Sequence, residues 1–179
     1  LANAGSDTIN SIKQASEFGI TRSGQNLAAL LAFITDVHAL GLKDHSLAGN
    51  GLDPSDRDNA IAIGMWPVHG MYMPDAVQAY KFKGRTYYVT ANEGDARDYD
   101  GFAEEARVSA LTLDPTAFPN AAFLRENARL GRLTVTNASG DLAGDGDFDQ
   151  IHAFGARSFS IWTVGGQLVW DSGDQFERY

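Results

Sequence analysis

Three stretches of this chain gather carboxylates closely enough to do chemistry. In "DGDFDQ", Asp145, Asp147 and Asp149 alternate, and oxygen ligands at that spacing suit a hard cation such as calcium, which takes six to eight of them. The pattern departs from a helix-loop-helix calcium loop, because Gln150 stands where a glycine is required and Ala156 where a bidentate Glu is required. A looser calcium loop and a plain acidic hairpin tip both remain as readings. "GLDPSDRD" offers Asp53, Asp56 and Asp58 with Asn50 nearby. Pro54 imposes a turn there, so these side chains converge on an ion, or else Asp53 and Ser55 bond to their own backbone. "TANEGDARDYDGFAEEARV" carries six carboxylates against two arginines. Glu93, Asp95 and Asp98 follow a strand-like run, and desolvating one member of a carboxylate pair would make a general acid beside a base. Interleaved arginines favour mutual neutralisation instead, with Glu93 and Asp95 the members best placed for metal. Glu104, Glu105 and Arg107 read as solvated surface.

Other chemistries have less support. His38, His45, His69 and His152 form no HxH or HExxH pair, which argues against a histidine-zinc enzyme. His69, in "WPVHGMYMPD", sits among apolar residues and reads as part of a core-lining turn. No GxSxG elbow and no phosphate-cradling glycine loop occurs. The absence of cysteine excludes disulfides and thiolate catalysis.

The elements that must position these residues are mostly short strands. "GRTYYVTA" (84–91), "RVSALTL" (107–113) and "GRLTVT" (131–136) are β-rich runs bounded by turn formers. "SFSIWTVGGQLVWDSG" places two more around Gly165 and Gly166, a hairpin in which glycine tolerates the positive φ of a two-residue turn. In it Phe159, Ile161 and Thr163 alternate with Ser158, Ser160 and Trp162. Helices are expected from Ser23 to Gly41, with Leu27, Leu30, Leu31, Ile34 and His38 on one face, and from Asn120 to Leu130. Acidic loops are expected over 43–60 and 137–150. The fold class is therefore mainly β, a sandwich or propeller with one or two short helices.

Length and charge bound the rest. With 179 residues, 44% of them hydrophobic, the chain suits one globular domain. Its formal charge of -9 opposes binding to nucleic-acid backbone and favours cation partners or plain solubility. No apolar run approaches the roughly 20 residues that span a bilayer. The opening "LANAGSDTIN" lacks Met and a signal core, so the chain reads as part of something longer.

In order along the chain, "DPSDRDNAIAI", "WPVHGMYMPDAV", "YYVTANEGDARDYDGFAEEARV", "LTLDP", "GRLTVT", "DGDFDQIHAFGARSFSIW" and "LVWDSGDQFE" closely resemble the choice-of-anchor I domain of bacterial surface and secreted proteins. The resemblance covers about Leu42 to Glu177. It implies a β-propeller-like, extracytoplasmic domain that is secreted, periplasmic or at the cell surface. Members are often labelled alkaline phosphatase, but no agreed catalytic residues come with the label. A propeller blade takes about 40 to 50 residues, so the chain would supply three to four blades of a partial propeller. Its open sheet edges would favour self-association.

The leading expectation is a calcium-stabilised, non-catalytic segment. The alternative is a metal-dependent phosphoesterase acting on a phosphorylated small molecule, in which Arg97 or Arg157 grips phosphoryl oxygens. Arg157 reads equally as a buried arginine paired with an acid. A third expectation is an adhesion module with Tyr87, Tyr88 and Trp162 on an exposed strand face.

Overall fold

The computed structural model describes residues 39–179. The helix expected from Ser23, and His38 with it, lie outside the described residues. Leu40–Tyr179 form a compact unit of three sheets. The first runs β1 (Leu42–Asp44), β2 (His69–Met71), β9 (His152–Ala153), β8 (Thr134–Thr136), β7 (Glu105–Arg107); only its β2–β9 pairing is parallel. The second is an antiparallel sheet of β11 (Leu168–Asp171), β10 (Ser158–Thr163), β4 (Arg85–Asn92) and β3 (Ala76–Phe82). The third is a small hairpin, β5 (Asp98–Tyr99) with β6 (Phe102–Ala103). The fold is mainly β as expected. Among the described residues no sheet closes on itself.

The two large sheets are held by different physics. Leu52, Val68, Val108, Leu130, Val135 and Ile151 are fully buried in one apolar cluster associated with the first sheet. The second sheet instead buries the polar side of β10. Ser158, Ser160 and Trp162 face inward, while Phe159 and Ile161 are only partly covered. Asn92 Nδ2 donates to Ser158 Oγ (3.1 Å) and Ser160 Oγ (2.6 Å), and Thr90 Oγ1 donates to Asn92 Oδ1 (2.8 Å). Trp162 Nε1 donates to Thr90 Oγ1 (2.8 Å), and both serines donate to Asp171 Oδ2. This ladder satisfies its polar groups, which is the condition for burying them.

Lys43, on β1 of the first sheet, ties the two sheets together. Its ammonium is buried and lies 3.0 Å from Asp171 Oδ1 on β11, and it also donates to the carbonyls of Ala156 and Gly173. Burial pushes the Asp171 carboxyl up, but hydrogen bonds from Ser160, Ser158, the Gly173 N–H and Lys43 outweigh it and hold it below the ordinary carboxylate range.

Glycines make this approach possible. A Cβ on Gly155 would overlap the Glu93 carbonyl, one on Gly94 would overlap the Gly155 backbone, and one on Gly70 would sit 2.7 Å from the Gly155 oxygen. Gly94 and Gly155 also hold positive φ (84° and 72°), which only glycine adopts freely. The segments "NEGDAR" and "FGAR" thus meet backbone to backbone.

Several local expectations need correction. The 107–113 run is not one strand: β7 ends at Arg107 and a 3₁₀ turn follows at Val108–Ala110. Val108 and Leu111, three apart, are both buried. A strand would send them to opposite faces. The helix expected over Asn120–Leu130 is one turn, α1 (Ala121–Leu124). Leu124 and Leu130 are both buried, and residues six apart do not share a helix face, so the chain bends and Leu130 N donates back to the Leu124 carbonyl. The hairpin between β10 and β11 closes through Val164–Gly166 with only Gly166 at positive φ (74°), a three-residue loop instead of a two-residue one. A two-residue turn occurs at Lys83–Gly84 (φ 48° and 76°), joining β4 to β3, a strand the sequence reading passed over. Lys43 and Asp44 belong to β1 and not to an acidic loop.

Breaking a buried pair from one side costs about 3–5 kcal/mol. Since Asp171 keeps its two serines, Lys43→Met should destabilise by about 3 kcal/mol in urea denaturation; a loss under about 1 kcal/mol would show that the sheets do not depend on it.

Candidate functional site

Two places concentrate unsatisfied charge. The first is an acidic cluster built on a single parallel bridge, Leu113 to Phe148. Asp114 N donates to the Phe148 carbonyl (3.1 Å) and Phe148 N to the Thr112 carbonyl (2.9 Å). This sets Asp114 beside the two neighbours of Phe148. Asp114, Asp147 and Asp149 each bring one carboxylate oxygen within 4.8 Å of the others, and no other such group of three or more acids or histidines occurs among the described residues.

The loop's own backbone uses part of this capacity. Asp141 accepts from the N–H groups of Gly144, Asp145 and Gly146. Asp149 Oδ2 accepts from Leu142 (2.7 Å) and Ala143 (3.1 Å), and Asp114 Oδ1 from Thr116 and Ala117. Asp147 Oδ1 is covered and has no partner. Burial pushes the Asp147 carboxyl up, and repulsion from Asp145, Asp114 and Asp149 adds to it. Asp145 is exposed and Asp114 replaces it in the cluster. No sequence signal marks Asp114, because Asp147 and Asp149, its neighbours in the cluster, lie more than thirty residues along the chain.

The second place is a cleft of about 450 Å³ over β7 and β8. Its walls include the 52–56 loop, the Gly94–Ala96 segment and Arg157. Residues from three separate sequence candidates, Asp53, Asp56, Asp95 and Arg157, therefore line one cavity. They do not form a single ion site. Asp56 holds Arg132 through both oxygens (2.9 and 3.1 Å), which keeps its carboxyl low. Ser55 Oγ accepts from Arg57 N (3.1 Å) and Asp58 Oδ1 from Ala60 N (3.2 Å), local turn bonding of the kind expected around Pro54, whereas Asp53 Oδ2 reaches Ala62 N (3.1 Å), nine residues on. Asp53 Oδ1 is covered without a partner. Glu93 and Asp95 are exposed, and Asp95 bonds to the next N–H.

Both candidate phosphate-binding arginines are already paired. Arg97 meets Glu104 at 2.8 Å, and Arg157 forms an ion pair with Glu177. Arg157 is paired as read but is exposed, not buried. Glu104 corrects the solvated-surface reading. It is buried, with Thr136 Oγ1 donating to its second oxygen (2.8 Å) and Arg97 N to its first (3.1 Å). The Arg97 side chain, chiefly, holds the Glu104 carboxyl below its usual range. Glu105 and Arg107 are exposed as expected. Of the three rings expected on an open face, Trp162 is buried and Tyr87 and Tyr88 are half-buried.

His45, His69 and His152 stand apart from both places. His69 and His152 face each other across the parallel pairing with ring centres 6.0 Å apart. His152 bonds Ser139 and Gln150. His45 is buried, its Nδ1 donating to the Asn50 carbonyl (2.6 Å), and burial pushes its pKa down.

Two acid-sensitive steps follow. His45 has a folded pKa below its ordinary 6.5, so its contribution is full above that pH and is lost as pH falls through the lower folded value. Glu104, held below 4.5, behaves the same way at lower pH. Denaturation midpoints should fall below pH 6.5 and again below pH 4.5. Glu104→Gln should flatten the lower step; an unchanged lower step would contradict the assignment.

A family model described as the choice-of-anchor I domain matches residues 29–179. The chain belongs to that family, which points to a bacterial, surface-associated, extracytoplasmic domain. No helix among the described residues is long and apolar enough to cross a membrane. Neither the curated proteins nor the solved structures give a match.

Proposed function

We propose that this choice-of-anchor I domain is a non-catalytic, calcium-stabilised segment of a β-propeller in a bacterial surface or secreted protein. The carrying observation is the Asp114, Asp147, Asp149 cluster with its partnerless, covered Asp147 oxygen. A covered carboxylate oxygen without a donor is costly, and a hard cation satisfies it while cancelling the repulsion among its neighbours. The three carboxylates would supply part of the six to eight oxygens calcium takes. Ligation would fasten the 141–149 loop to the Asp114 turn, making local order depend on the ion.

The propeller reading is supported by the second sheet, which has the four antiparallel strands of a blade. Its β3 edge is exposed along its whole length, as is expected of a strand that meets a further blade or a second copy of the chain. The phosphoesterase alternative has weaker support. Arg97 and Arg157 would each have to leave a carboxylate before gripping a phosphoryl group.

Millimolar calcium should raise the melting temperature by several degrees. Asp147→Asn should abolish that rise. It should also raise the melting temperature of the metal-free protein, because the raised Asp147 pKa marks a charge that opposes folding above it. Equal melting curves in calcium and in EDTA would remove the reading. Chelator-sensitive hydrolysis of p-nitrophenyl phosphate would favour the alternative.

A further inference from the structure

We propose that the charged cleft binds a basic amino acid or a short basic peptide, with Asp53, Asp95 and Glu105 meeting its cationic groups and Arg107 its carboxylate. At about 450 Å³ the cavity falls within the range of small-ligand sites. What distinguishes it is the set of charges left over after internal pairing.

Arg132 is neutralised by Asp56, and Arg157 by Glu177. Asp53, Asp95 and Glu105 make no ion pair among the described residues. Arg107 makes none either; its one hydrogen bond runs from Nη1 to the Arg132 carbonyl. A guanidinium has five N–H donors, so most of its fork is free. Three carboxylates and one guanidinium therefore remain. A ligand with two positive groups and one negative group, such as a basic amino acid or a peptide ending in one, offsets most of that charge and leaves one of the three carboxylates to solvent.

Two further facts narrow the choice. Asp53 lines the cavity with its charge unpaired, Oδ2 accepting only from the Ala62 N–H, so a cationic ligand group meets no competing side chain there. The carboxylates of Asp53, Asp95 and Glu105 do not all come within 4.8 Å of one another, which suits an extended ligand and not a bare metal ion. Leu52, Pro54, Leu133 and Phe154 line the same cavity and offer apolar contact to an aliphatic stem.

The test is isothermal titration of the intact chain with glycyl-arginine, with agmatine, which lacks the carboxylate, and with acetylglycine, which lacks any cation. Glycyl-arginine should bind with a Kd of about 1 mM or tighter, agmatine about tenfold more weakly, and acetylglycine not at all. Asp53→Asn and Arg107→Gln should each weaken the dipeptide by about tenfold. Glu105→Gln, an exposed change that leaves folding intact, should also weaken it. The proposal is overturned if the dipeptide fails to bind, if agmatine binds equally well, or if the folded Arg107→Gln and Glu105→Gln proteins bind it with unchanged affinity.

Discussion

A buried lysine is the constraint on which the described unit depends. Lys43 carries its charge from the apolar first sheet into the polar interior of the second, where Asp171 and two backbone carbonyls receive it. Removing two charges from water is expensive, and such a pair holds only when nearby groups complete its hydrogen bonding. Here Ser158, Ser160 and Asn92 do so, which explains why β10 turns its serines inward and leaves Phe159 and Ile161 partly open. The glycine contacts at Gly70, Gly94 and Gly155 are the steric half of the same requirement, since any side chain there would hold the backbones apart.

This junction also shapes what is left for ligands. By bringing "NEGDAR" against "FGAR", it places Gly94 to Ala96, Phe154 and Arg157 in the lining of one cleft. The arginines in those motifs serve the frame: Arg97 anchors Glu104 beneath the small β5–β6 hairpin, and Arg157 anchors Glu177. The cleft and the Asp114, Asp147, Asp149 cluster are where carboxylates without an ion-pair partner gather.

Much of the second sheet was legible because strand alternation and turn chemistry are local. β4 and the β10–β11 hairpin fall where alternating residues and paired glycines put them. The inward face of β10 was not legible, since a hydrophobic pattern assigns Phe159 and Ile161 to the core, and only Lys43 and Asp171, distant in sequence, reverse it. The short turn at Val108 and the truncated helix at Ala121 had the same cause: pairs of core residues that the expected element cannot bring to one face, three apart for a strand and six apart for a helix. Of the site residues, Asp147 and Asp149 were visible as an acidic run. Asp114 joins them only through the Leu113–Phe148 bridge, a contact no local pattern encodes.

The central functional claim is that a divalent ion completes what the frame leaves unsatisfied at Asp147. Anomalous diffraction from crystals grown with calcium examines it directly. The account predicts a peak with carboxylate oxygens of Asp114, Asp147 and Asp149 at about 2.3–2.6 Å. Ordinary water at that position, with the three side chains turned apart, would contradict it.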